Sequence, residues 1–193
     1  MDKINLKAFA KKAEEKKKGF RRFITKCEKN PPKGLNKLAI ATDQEVWQEI
    51  DCTSCANCCK KMTPTFTPKD IKRAATFLHM TPAAFKAKWL VQQKKDKDWV
   101  NRTQPCQFLD LKTNLCTIYE ARPYDCAGFP HLAKQKVKDY IHIHKQNMMY
   151  CPATYRFIEL MKQKLQLRPD KKSLKELKIE GKGKKKTKIE LTA

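Results

Sequence analysis

The residues with the most chemistry to offer are the cysteines, of which the chain has nine. Cys27 stands alone. The other eight, Cys52, Cys55, Cys58, Cys59, Cys106, Cys116, Cys126 and Cys151, fall within one stretch of the chain. The first four read Cys52-Thr-Ser-Cys55-Ala-Asn-Cys58-Cys59, a C-x2-C-x2-C-C run. Two thiols separated by two residues can fold back onto one metal through a tight turn, and the small or polar Thr53, Ser54, Ala56 and Asn57 suit that turn. The adjacent pair is different. Consecutive side chains usually point apart, so Cys58 and Cys59 more naturally serve two metals, or two irons of one cluster. The later cysteines sit among turn formers: Cys106 after Pro105, Cys116 after Lys112-Thr113-Asn114, Cys126 between Asp125 and Ala127-Gly128, and Cys151 before Pro152.

What these thiols do depends on where the chain resides. Its first residues, MDKINLKAFAKKAEEKKKGF, are charged throughout and contain no apolar stretch of the kind that directs secretion. No apolar run approaches the roughly 18 residues that span a bilayer. The reading is a soluble, cytoplasmic protein. There thiols stay reduced, so eight of them point to metal ligation rather than to disulfides. All-thiolate ligation serves zinc and iron–sulfur clusters alike. Cys27 is expected to pack as a small apolar side chain.

The formal charge is +23, from 43 Lys and Arg against 20 Asp and Glu in 193 residues. It is concentrated at the ends. Residues 1–38 hold 13 basic and 4 acidic groups, and residues 171–193 hold 9 and 3. Basic ends attract RNA, DNA or anionic lipid without specificity; the simpler use of such charge, keeping a small protein soluble, is preferred. A hydrophobic fraction of 40% supports a modest core.

Several elements must position the thiols. Leu6, Phe9, Ala10, Ala13, Phe20, Phe23, Ile24 and Cys27 recur at helical spacing over residues 3–29, interrupted by Gly19 and stopped by Asn30-Pro31-Pro32 and Gly34. This helix is expected to dock on the core, in preference to lying on a membrane or on RNA. Asp43 is expected to cap a short helix carrying Val46, Trp47 and Ile50. Thr67-Pro68-Lys69-Asp70 and Thr81-Pro82 are two helix starts, with an N-cap threonine and proline at the first helical position. Residues Lys136–His144 alternate, with Val137, Ile141 and Ile143 in phase, and predict a short strand. A last helix starts at Pro152 and carries Tyr155, Ile158, Met161 and Leu165. The lysine-rich residues 169–193 are expected to be a disordered tail.

In combination these residues carry a resemblance. The C-x2-C-x2-C-C run is followed by Thr67-Pro68-Lys69-Asp70-Ile71, Thr81-Pro82-Ala83-Ala84-Phe85 and Pro105-Cys106-Gln107-Phe108-Leu109. Then come the stretch from Cys116 through Arg122-Pro123-Tyr124-Asp125 to Cys126, Phe129-Pro130, and Cys151-Pro152. Over roughly residues 50–160 the chain resembles the CxxCxxCC cysteine-cluster family, also called YkgJ-like, of zinc- or iron-chelating proteins. It is similar to that family at all eight cysteines and departs from it at Ala127, where many relatives carry Arg. A distant branch resembles flagellin lysine N-methylases, which are associated with an iron–sulfur cluster. With five glycines and no Gly-rich nucleotide loop, this chain gives no ground for carrying the methylase activity over. The resemblance does favour an iron–sulfur cluster over zinc.

Beyond the thiols, His142 and His144 would share one face of the predicted strand, where a solvated surface is preferred to a metal site. His131 is a candidate donor to a cluster sulfur, and Arg122 a candidate to balance thiolate charge. Arg122 would serve equally in capping a carbonyl or pairing with Asp125. No catalytic set of Ser, His and Asp and no carboxylate pair stands out, so no reaction is assigned and the enzyme question stays open.

The expected fold is mostly α with irregular metal-tied loops and little β, a small single cysteine-cluster domain. The expected organisation is a basic amphipathic arm (1–34), the metal-binding domain (35–168) and the tail (169–193). The function expected is metal binding through up to eight thiolates. The competing readings are a zinc-stabilised module touching RNA through its basic ends, and a cluster-dependent redox or methyl-transfer enzyme.

Overall fold

In the computed structural model, which describes residues 4–134 and 136–166, the chain begins with helix α1 (Leu6–Lys29). Asn5 starts it by accepting a hydrogen bond from Ala8 N at 3.0 Å, satisfying one of the free N–H groups of the first turn. The helix runs unbroken through Gly19 and ends at Asn30, where two prolines follow. Phe9, Ala13, Phe20, Ile24 and Cys27 form its buried stripe. The arm is therefore docked, and Cys27 is a core residue.

Helix α2 (Leu35–Glu49) starts much earlier than Asp43. The chain reverses at Gly34, whose φ of +77° is one that side-chain-bearing residues rarely adopt. Asp43 thus lies inside the helix, where its carboxylate accepts a 2.8 Å bond from the Trp47 indole one turn on. A good capping residue is also tolerated on the exposed face of a helix when a partner is in reach.

The described residues form two apolar cores. The larger is built by α1, α2 and the last helix, α9 (Pro152–Gln166), with Phe20, Ile24, Val46, Phe157 and Met161 among its residues. Arg156 of α9 bridges Glu49 of α2 and Glu159 at 2.7 and 2.8 Å, and Lys164 pairs with Glu45. These partly exposed pairs add little stability; the apolar contact carries it.

The smaller core lies under helices α4 (Pro68–Phe77) and α5 (Pro82–Trp89) and a three-stranded antiparallel sheet. The strands β1 (Thr65–Phe66), β2 (Leu90–Gln92) and β3 (Trp99–Asn101) are ordered β1-β3-β2, with Phe66 opposite Trp99 and Val91 opposite Val100. Phe85 stacks on Phe108 with ring centroids 5.9 Å apart, and Ile71, Leu90 and Ile118 pack with them.

Both helix starts form as expected. Thr67 accepts from Asp70 N at 3.2 Å while Asp70 accepts from Thr67 N at 3.0 Å, a reciprocal capping box. Thr81 accepts from Ala84 N. Asp70 also takes Arg73 at 2.7 Å and Tyr124 N at 3.1 Å. Burial opposes its charge, but the bonds from Thr67, Tyr124 and Arg73 outweigh that and hold its pKa below the usual value.

The predicted strand at Lys136–His144 is helical instead. It forms α7 (Val137–Tyr140), a 3-10 turn at Ile141–Ile143 and α8 (His144–Asn147), preceded by α3 (Asn57–Lys61) and α6 (Tyr124–Gly128) earlier in the chain. Val137, Ile141, His144 and Met148 are buried, spaced by four, three and four as a helix demands, with Asn147 buried beside Met148. Reading His144 as polar surface hid this period. The architecture is mostly α with a small sheet. The lysine-rich segment 169–193 lies outside the described residues. Among the described residues no helix is long and apolar enough to cross a membrane.

Two stability changes follow. Gly19 lies inside α1 with no heavy atom nearer than 3.9 Å to an added Cβ, so Gly19→Ala should stabilise by roughly 0.5–1 kcal/mol in urea unfolding. Asp70→Ala strips hydrogen bonds from Thr67, Arg73 and Tyr124 and should cost about 2–3 kcal/mol in the same assay.

Candidate metal centre

The segment carrying the first four cysteines connects the two cores. The Asp51 carboxylate accepts from Thr53 N at 2.9 Å and from its hydroxyl at 2.7 Å, and Ser54 Oγ donates to the Asp51 carbonyl. Cys55 N and Ala56 N both point at the Cys52 carbonyl, at 3.2 and 3.3 Å. This is the folded-back turn that the C-x2-C spacing implies. Ala56 then takes a left-handed φ of +47°, which costs roughly 1–2 kcal/mol for a residue with a side chain, and turns the chain into α3. Cys58 and Cys59 follow on that short helix, with sulfurs 3.9 Å apart. The pair is closer than side chains pointing apart would suggest.

The segment is tied on both sides. Asn57 Nδ2 donates to the Tyr150 carbonyl at 2.7 Å, next to Cys151. Cys106 N donates to the Cys59 carbonyl at 2.8 Å. Cys106 and Cys116 belong to one loop pair, closed by Leu109 N to the Cys106 carbonyl at 3.0 Å and by a bridge between Leu109 and Cys116. Both pack against the smaller core. Cys126 lies on α6, whose Asp125 accepts from Thr65 N at 3.1 Å. Cys151 is buried in the larger core, and its sulfur accepts from Thr154 N at 3.5 Å in the first turn of α9.

These pieces surround a cavity of about 1490 Å³. Cys52, Cys58, Cys59, Cys106, Cys116 and Cys126 line it, as do Arg122 and His131. Cys55 and Cys151 are buried and are not in its wall. All nine cysteines are free thiols.

The environment resists thiolate formation. Burial, and then the charges of Cys151 and Cys55, push Cys52 up to about 11. Burial also raises Cys55, Cys106, Cys116, Cys126 and Cys151. Within the adjacent pair the two sulfurs share a hydrogen bond that raises one thiol, Cys58, and lowers the other, Cys59. Lys60 favours the charged forms of Cys55 and Cys59. A cation among these groups would relieve both the desolvation and the mutual repulsion.

Arg122 takes the carbonyl-capping role offered for it. It caps the Tyr119 carbonyl at 2.6 Å and lies 3.6 Å above the Tyr119 ring, and its charge favours the Cys116 thiolate. Its expected partner Asp125 bonds Thr65 N instead. The His131 ring lies over Gly128, so close that a Cβ there would meet its Cε1 at 2.6 Å; only glycine leaves it room. Burial, then Lys134, lowers the His131 pKa.

His142 and His144 do not share a face. His142 is exposed on the cavity wall, whereas His144 is buried against the Phe157 ring. The sequence reading also missed Asn57, taken only as a turn former, and Lys60, whose position beside the adjacent cysteines was its one signal.

Among the described residues no three His, Cys, Asp or Glu side chains stand close enough together to hold a metal ion. The donor set fits one in kind: eight thiols, six of them on one cavity, match the all-sulfur preference of zinc and iron–sulfur sites.

The sulfur-lined fold is thus that of a cysteine-cluster domain. Residues 51–152, a little over half of the chain, match the model of the CxxCxxCC family, described as a "Putative zinc- or iron-chelating domain", and the protein belongs to that family. Neither curated proteins nor solved structures give a match.

His144 supplies a pH test. Neither ring nitrogen completes a hydrogen bond. Burial lowers its pKa to about 4, offset only in part by the Leu132 backbone, and the charges of His131 and His142 act in the same direction as burial. The unfolded chain binds this proton near pH 6.5, so the unfolded state takes up more protons between there and pH 4. Stability is then complete above pH 6.5 and falls as pH drops through that window, by roughly 3 kcal/mol for this group. Urea unfolding of wild type and His144→Leu from pH 7 to pH 4 should show that extra loss in the wild type alone.

Proposed function

We propose that this is a cytosolic metal-binding protein that holds an iron–sulfur cluster, in preference to zinc, through the thiolates of Cys52, Cys55, Cys58, Cys59, Cys106, Cys116, Cys126 and Cys151. The observation that carries this reading is that six of these thiols line one cavity while burial and neighbouring charge hold most of them protonated. A thiol set so placed gains most from a bound cation. Binding has to draw the sulfurs together, so metal would tighten the loops that carry them and contribute directly to folding. Arg122 and His131, on the same wall, would offset charge and contact the sulfurs.

Purification without oxygen, followed by metal and sulfide analysis and a visible spectrum, tests the assignment. Iron, labile sulfide and a brown colour are expected. Colourless protein with about two zinc ions per chain would replace the cluster by zinc, and protein that neither carries nor takes up metal would overturn the function. Cys58→Ser should lower both metal content and melting temperature; unchanged stoichiometry would remove Cys58 from the ligand set.

A further inference from the structure

Six of the eight thiols line the cavity and two are buried beside it, and their attachments divide them. Cys52 and Cys55 belong to one turn, closed by the bonds from Cys55 N and Ala56 N to the Cys52 carbonyl. The Asn57 bond to the Tyr150 carbonyl holds this turn beside Cys151, which is anchored in the larger core. On the other side, the Cys59 carbonyl is bonded to Cys106 N. Cys106 and Cys116 share a loop pair packed on the smaller core, and α6 carries Cys126 to the same side through Asp125 and Thr65 N. The division falls between two neighbouring residues, Cys58 and Cys59.

We infer that the protein has two adjoining four-thiolate sites, one formed by Cys52, Cys55, Cys58 and Cys151 and the other by Cys59, Cys106, Cys116 and Cys126. This rests on the metal-binding reading above and names the sites within it. Four thiolates suffice for one tetrahedral zinc or for one iron–sulfur cluster, so the division holds for either metal. With the Cys58 and Cys59 sulfurs 3.9 Å apart, the two sites meet there, each anchored to a different core.

Cobalt(II) is the probe, because it takes zinc's tetrahedral thiolate geometry and colours on binding. The full chain, reduced and stripped of metal, is titrated anaerobically, and at each point the free thiols are alkylated and mapped by mass spectrometry. Two equivalents should bind. Protection should appear in two sets of four matching the two groups, whichever fills first. Cys151→Ser and Cys126→Ser should each lower binding from two equivalents to one, leaving the other group protected. Eight thiols protected together at one equivalent, or Cys58 and Cys59 protected in one set of four, would overturn the division and leave metal binding intact. No colour and no protection in the wild type would overturn the parent reading. The wild-type mapping stands even where a variant fails to fold.

Discussion

The bond from Cys106 N to the Cys59 carbonyl and that from Asn57 to the Tyr150 carbonyl fasten one short segment to two separate cores. Residues 52–59 have little apolar area of their own to bury, so their shape depends on those attachments and on the local turn at Cys52. Each neighbouring feature serves the same constraint. The left-handed Ala56 redirects the chain so that the turn and the adjacent cysteines both reach the cavity. Asp70 joins α4 to the backbone at Tyr124 and so fixes where α6 begins. A buried polar group so fully bonded specifies one arrangement, since any alternative leaves it unpaired.

Thiol placement and thiol chemistry are coupled through water. The cavity wall is desolvated enough to raise most of the thiols, which in the absence of metal keeps them neutral and compatible with a buried position. With metal the same burial strengthens the attraction between thiolate and cation. The cationic groups at Arg122 and Lys60 temper the cost of the charged form.

Much of this was legible in the sequence where one local interaction decides the outcome. Thr67-Pro68 and Thr81-Pro82 start helices because the cap and the proline act within a single turn. The stripe of Phe9, Phe20 and Ile24 marks the docked α1. The strands at Thr65–Phe66, Leu90–Gln92 and Trp99–Asn101 are too short to display an alternation. The Lys136–His144 region misled because a buried histidine completes the helical period. Spacing identified the turn at Cys52 and Cys55, but the side of the cavity to which each later cysteine belongs depends on contacts between segments far apart in the chain, such as Asn57 with Tyr150.

The way the two cores are assembled from the chain imposes an order in time. All residues of the smaller core, Phe66 to Ile118, are available once Ile118 has been synthesised. The larger core joins α1 and α2 to α9 and waits for Met161. A chain emerging from the ribosome therefore has the parts for the smaller core well before it can close the larger one, and domains generally fold as their residues emerge. Seven of the eight clustered thiols precede Cys151 in the chain. Until α9 emerges, the nascent protein presents them with the side of the cavity nearest Cys151 still unmade.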